Sequence, residues 1–321
     1  MRCVECSGLA SKLGENHAAN IHLTIMARDN TTPTVAIAHP MGLGDTITAL
    51  PMAGAIKQQH PHWRVVWIGH AATAALIRHC RVVDLFLDAD EVLRDPAVLR
   101  RAGVTAFLNP WPIFSLSRAA FKAGVPTRVG NWRRLKMLPW CNRFIHNSRK
   151  GSKTHEIETN LRTLAGLRLR TQVPREQWPA LYGLERDTAT ALLPAGFDPT
   201  LFNLVLHTRS NGNGREWPIE HFTVLAAALD PARFRVWLTG SGGEAAWLQE
   251  HAAALLALPQ VQSVAGSQSL EALYQLLSHS DGLIASGTGP LHLAAALGIH
   301  TLGIYPPRDA AGISGRTCRF R

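Results

Sequence analysis

The chain has 321 residues, 46% hydrophobic and 17% charged, with 33 Lys plus Arg against 23 Asp plus Glu and a net charge of +10. That length suits about two domains, and the apolar content excludes an intrinsically disordered chain. Five Cys at positions 3, 6, 80, 141 and 318 are too few and too scattered for a disulfide scaffold, and no signal-peptide order opens the sequence, so a reducing cytoplasmic setting is expected.

Residues 1–33 lack periodicity and read as an irregular extension, with Met26 as an alternative start just ahead of the first strand. Cys3, Cys6, His17 and His22 have a superficial zinc-finger order, but the interval between the pairs is short and no finger core accompanies them, so no metal is expected. From residue 34 the apolar runs TVAIAH (34–39), RVVWIG (64–69), VVDLFLD (82–88) and VTAFLN (104–109) predict buried strands, with helices at 45–59, 71–79, 95–102 and 113–123. Residues 128–153 then carry Arg128, Arg133, Arg134, Lys136, Arg143, Arg149, Lys150 and Lys153 without an acid, interleaved with Trp132, Leu135, Leu138 and Trp140. This is either a solvated basic face or a face for phosphate-rich surfaces, whether lipid headgroups, nucleic acid or a phosphorylated acceptor, with Arg133, Arg134 and Lys136 as candidate acceptor or membrane contacts.

A helical stretch at 154–167 leads into a polar, Pro-containing region at 171–200, after which the pattern restarts. Strands are expected at 203–207, 234–239, 261–265, 282–286 and 301–305, and helices at 218–229, 243–257, 269–278 and 290–297. Residues 282–307 lack Asp, Glu, Lys and Arg and mimic a membrane span, but Gly287, Gly289, Pro290, Gly298 and two His divide them into strand, loop, helix and strand. The last sixteen residues form no recognisable element. The alternation predicts an α/β chain of two Rossmann-like domains facing a central cleft: an extension at 1–33, a first domain at 34–175, a second at 176–305 and an irregular tail at 306–321.

Three loops carry candidate chemistry. The first strand runs into His39-Pro40-Met41-Gly42-Leu43-Gly44-Asp45, where Gly42 and Gly44 let a ligand approach the backbone; residue 47 is Ile, so the dinucleotide fingerprint fails. Asp45 is either a helix N-cap or a general base projecting into the cleft. His207-Thr208-Arg209-Ser210-Asn-Gly-Asn-Gly-Arg215-Glu216-Trp217 has the composition of a phosphate cradle or of a solvated connector. Ser286-Gly287-Thr288-Gly289-Pro290-Leu291-His292 opens another helix, whose amides and Thr288 suit a pyrophosphate, while His292 is either a ligand contact or a satisfied core histidine.

Taken together, GLGDTITALPMAGAIKQQHP, HTRSNGNGREWPIEHFTVLAAAL and ASGTGPLHLAAALGIHTLGIY resemble, in order and spacing, the three signature segments of glycosyltransferase family 9, the lipopolysaccharide heptosyltransferases, and THEIETNLRTLAGL resembles the family's bridging helix. The resemblance covers about residues 34–305. It implies a GT-B fold and a metal-independent, inverting enzyme that moves heptose from an ADP-heptose donor, with no other cofactor, to a phosphorylated inner-core acceptor of lipopolysaccharide at the inner face of the cytoplasmic membrane. By the same resemblance Asp45 is the base, Thr208, Ser210, Arg215, Thr288, Gly289 and His292 line the donor site, and the first domain receives the acceptor. The chain departs from the family at Gly287, where an Asp usually stands, and in its tail, where relatives continue with further structure; a catalytically impaired member that binds nucleotide sugar or an anionic membrane surface is the alternative. Neither half has a groove-reading motif, so nucleic acid is not the expected partner of the positive charge.

Overall fold

The computed structural model describes residues 32–147, 154–210 and 216–305. The Cys3, Cys6, His17 and His22 pattern, Arg149, Lys150 and Lys153 of the basic run, Arg215 and the 306–321 tail lie outside the described residues.

The apolar runs of the first half form β1 (Thr34–Ala38), β2 (Arg64–Gly69), β3 (Leu85–Asp88), β4 (Ala106–Leu108), β5 (Thr127–Asn131) and β6 (Arg143–Ile145), all parallel and ordered β3-β2-β1-β4-β5-β6. The helices here are α1 (Leu43–Ala49), α2 (Pro51–Gln59), α3 (Ala74–Arg78), α4 (Ala89–Arg94), α5 (Ala97–Arg101), α6 (Phe114–Lys122) and α7 (Glu156–Leu161), and α8 (Trp178–Leu181) follows on the way to the second sheet. In the second half β7 (Phe202–His207), β8 (Phe234–Leu238), β9 (Val261–Ser263), β10 (Gly282–Ser286) and β11 (His300–Ile304) are ordered β11-β10-β7-β8-β9, again parallel. Their helices are α9 (Ile219–Ala227), α10 (Gly242–His251), α11 (Ala253–Leu256), α12 (Leu270–His279) and α13 (Gly289–Ala296).

Parallel strands are covered on both faces and so read as continuous apolar runs. TVAIA is fully buried; Val35 and Ile37 face an inner core, while Ala36 and Ala38 face an outer one shared with Leu116 and Ala120 of α6. The second half alternates the same way, Val205 and Trp237 inward, Leu204, Leu206, Val236 and Leu238 outward. The inner core is continuous across both halves: Ile37, Leu50 and Ile56 belong to one cluster with Val205, Trp237 and Leu291, and α1 packs directly on α13.

In each sheet the chain builds outward from its first strand on one side, then returns to that strand's other side, so β1/β4 and β7/β10 are topological switch points. Crossovers leave such a pair toward opposite faces and open a crevice at the strands' carboxyl ends.

Several elements differ from the sequence expectation. The helix at 45–59 is two, with Pro51 opening α2; the one at 95–102 is α5, with Pro96 at its N-cap, and α4 at Ala89–Arg94 is an additional helix ahead of it. β5 and β6 lie inside the stretch read as a basic face; Arg128, Asn131 and Arg143 interrupt their apolar pattern, which β6 tolerates as an edge strand. Residues 176–184, grouped with the second half on sequence, pack with the first: Trp178 and Leu181 join the core beside α2, and Leu184 bridges Cys80. Residues 282–304 form strand, helix and strand, and among the described residues no helix is long and apolar enough to cross a membrane.

Candidate functional site

All three loops singled out from sequence leave strands at the switch points. The first follows β1, and the other two follow the neighbouring strands β7 and β10. The helices they open meet across the crevice. A Cβ built on Gly44 would lie 2.9 Å from Cδ2 of His292, and one on Gly289 would lie 2.9 Å from Cβ of Leu43. Only glycine at both positions allows the first turns of α1 and α13 to touch.

Gly42, not Asp45, holds the N-cap position of α1; it is extended and offers no side chain to cap with. Asp45 is the third residue of the helix, exposed, beside the Gly44–His292 contact. The capping alternative for Asp45 is thereby replaced by a first-turn carboxylate favoured by the helix dipole. On the other side of the β1/β4 switch point, Asn109 clasps its own loop: its Nδ2 donates to the Ile113 carbonyl at 2.8 Å and to Ser117 Oγ at 2.9 Å, and its Oδ1 accepts from the Ile113 N–H at 3.2 Å.

Three hydroxyl residues follow the strands at the second switch point. His207 is paired in register with Ala285, so the residues that follow, Thr208 and Ser286, leave the sheet side by side. Thr208 Oγ1, Ser286 Oγ and Thr288 Oγ1 are all buried without a hydrogen-bond partner. Thr288 occupies the N-cap of α13, yet its side chain makes no cap hydrogen bond. A buried polar group left unmatched costs about 1–3 kcal/mol, so three together at strand ends, beside the amides of an eight-residue helix, are fitted to an oxygen-rich anionic ligand.

Around them the chain is tied down by residues the sequence did not single out. Glu216 Oε1 accepts from the Ser210 N–H at 2.7 Å and from Ser210 Oγ at 3.2 Å, and its other oxygen pairs with Arg209. One carboxylate therefore joins the described residues on either side of 211–215. The Arg209 guanidinium lies 4.0 Å from the centre of the Trp247 ring, and this stack forms one wall of a pocket of about 290 Å³ that Trp217 and Glu220 also line. Glu216 is adjacent to the Trp of the expected motif, but Trp247 sits on α10 and no spacing rule connects it to this loop.

Both histidines at the site are held neutral. His207 Nδ1 lies 3.0 Å from Thr239 Oγ1, and burial pushes its pKa down against the opposing pull of Glu244 and Glu216. His292, half-buried over Gly44, is lowered to about 4, first by burial and then by the nearby His155. A neutral imidazole can donate to or accept from a ligand without adding charge.

Gly287 has a local reason. A Cβ there would lie 2.8 Å from Cε1 of Tyr305, whose ring takes the space that a longer side chain would need. Arg133, Arg134 and Lys136 are exposed on the connection between β5 and β6 and do not join the three loops. His79, Asp187 and Glu271, which come within 4.8 Å of one another by their ligand atoms, likewise belong to other elements.

The model of glycosyltransferase family 9 (heptosyltransferase) matches residues 121–314, more than half of the chain. The chain belongs to glycosyltransferase family 9. Similar solved structures include a glycosyltransferase family 9 protein from Veillonella parvula, with TM-score 0.71 and 16% identity over 88% of this chain and 83% of that one. E. coli heptosyltransferase WaaC with ADP gives TM-score 0.68 at 19% identity over 88% and 90%, and E. coli ADP-heptose lps heptosyltransferase II gives 0.64 at 18% over 85% and 85%. No curated protein matches the chain in sequence. At such identities the likeness establishes the fold, which is the GT-B-like arrangement of two parallel α/β sheets, and the family match makes the protein a glycosyltransferase of the heptosyltransferase family.

Proposed function

We propose that this family 9 member transfers heptose, with inversion, from an ADP-heptose to a phosphorylated inner-core sugar of lipopolysaccharide, without a metal ion, at the inner face of the cytoplasmic membrane. The observation that carries the reading is the trio of unpartnered hydroxyls, Thr208, Ser286 and Thr288, at the N-terminus of α13. The Asp45 carboxylate takes the proton of the acceptor hydroxyl as its oxygen attacks the anomeric carbon from the face opposite the nucleotide. The bond from that carbon to the phosphate oxygen breaks, and ADP leaves with the electron pair. Charge developing on the departing diphosphate is met by the three hydroxyls, by the Gly289 and Leu291 N–H groups in the first turn of α13 and by Arg215, with neutral His292 and Ser210 beside them. Preoriented donors of this kind supply what a Lewis acid otherwise would.

The donor half of the proposal is tested by calorimetric titration with ADP and with ADP-heptose in the presence of a chelator. Thr208→Val and Thr288→Val keep the side-chain shape and remove the hydroxyl. Each is expected to weaken ADP binding about tenfold, in line with a hydrogen bond to a charged group. Unchanged affinity in both variants places the nucleotide elsewhere.

A further inference from the structure

One surface of the first half takes no part in the chemistry above. Between Asp95 and Glu156 the sequence has twelve Lys or Arg and no acid. Within that stretch Trp111, Phe114, Phe121, Trp132, Leu135 and Leu138 are all exposed large hydrophobics, Leu135 at 70% and Trp132 at 57%.

These side chains are organised. Phe114, Arg118 and Phe121 recur at helical spacing and form one stripe along α6. Trp140 joins that stripe to the β5–β6 connection: its ring meets Phe114 edge-on at 6.0 Å and Phe121 at 5.3 Å. Guanidinium groups are laid on the same rings, Arg118 at 5.9 Å from Trp140 and Arg128 at 5.3 Å from Phe121. Arg128 is held in place as its Nε donates to the Trp140 carbonyl at 2.7 Å. The α6 stripe and the Trp140 end of the β5–β6 connection thus form one aromatic cluster that carries cations on its rings, with the exposed Trp132, Leu135 and Leu138 on the same connection.

An occupant must be apolar in depth and anionic at its rim. A second copy of this chain would bring the same positive charge to a self-complementary contact, which opposes association. A bilayer containing anionic lipid offers phosphates at the surface and hydrocarbon a few ångströms below, and aromatic residues settle at that boundary. We propose that the α6 stripe and the β5–β6 connection form a foot that seats in the headgroup region of an anionic bilayer, with Phe114, Phe121, Trp132 and Leu135 entering the apolar boundary. This rests on the membrane-facing part of the proposed function. It adds an apolar anchor that salt cannot screen to the charge contacts of Arg133, Arg134 and Lys136.

The test uses the full chain and vesicles of phosphatidylcholine with or without phosphatidylglycerol. Reversing Arg133, Arg134 and Lys136 to Glu should abolish most binding at low salt and change little at 1 M salt, where screening acts over roughly 3 Å. The Phe114→Ser/Phe121→Ser double variant should weaken binding about tenfold at both salt concentrations, since apolar burial is not screened. Equal melting temperatures and equal ADP affinity would exclude a folding or donor-site effect. A double variant that binds vesicles as the parent does overturns the foot. So does a parent that is dimeric and ignores vesicles while the double variant is monomeric, which makes the surface a self-interface. Loss of vesicle binding in the double variant alongside a chain that does not bind ADP-heptose leaves the foot standing and removes the donor reading; the two can fail separately.

Discussion

Asp45→Asn is expected to lower turnover by about 10² to 10⁴ while leaving ADP affinity and thermal stability close to those of the parent. The size follows from what the substitution removes. Asn keeps the shape of Asp but cannot accept the acceptor's proton, so the attacking oxygen must lose it to water. The structural cost is small because Gly42, not residue 45, is the N-cap of α1. Asp45 stands exposed in the first turn, where the helix dipole favours a carboxylate by about 0.3–1 kcal/mol. Turnover should therefore fall far more than stability does. A variant with parental turnover, measured by ADP release, would remove Asp45 from the role of base.

The second large effect concerns acid. His292 has an ordinary value of 6.5 and is held at about 4 in the fold, first by burial and then by His155. His155 caps α7, its Nδ1 accepting the Ile157 N–H at 3.2 Å, so in its neutral form its own proton sits on Nε2. Above the ordinary value both folded and unfolded chains carry neutral His292, and it contributes no pH dependence. As pH falls from 6.5 toward 4, the unfolded chain takes up the proton first and gains stability over the fold; below about 4 both are protonated and the loss is complete. A gap of that size corresponds to a loss of about 3 kcal/mol at most. Denaturant unfolding at pH 7 and pH 4.5 should show the parent losing more stability than His292→Gln. The first turns of α1 and α13 meet at this side chain, so its protonation strains the contact between the two halves. Equal pH dependence of the two proteins would mean that His292 titrates in the fold as it does in water.

The parts of the fold legible in the sequence were those where local pattern and burial coincide. TVAIA, RVVWIG and GLIAS are buried nearly throughout, so composition alone marks them as central parallel strands. TRVGN and RFI escape such reading because they are short and mix charge with apolar residues near the sheet edge. The three loops were legible because Gly, Pro and hydroxyl residues gather where a strand turns into a helix. Their meeting was not. The contact of Gly44 with His292 joins residues from the two halves, and the bond from Ser210 to Glu216 joins residues six apart with no periodic pattern to announce it. The aromatic stripe of α6 was hidden for another reason: Phe114 and Phe121 have the spacing of a core face, and only the structure shows them on the outside.

Donor-to-acceptor transfer at the crevice between α1 and α13 is tested by mass spectrometry of the purified protein incubated with ADP-heptose and a truncated, heptose-deficient core lipid. The expected result is a lipid product heavier by one heptosyl residue, one ADP released per product, no dependence on added metal, and strong suppression in Asp45→Asn. An acceptor of unchanged mass beside intact ADP-heptose, from protein shown to be folded, would contradict it.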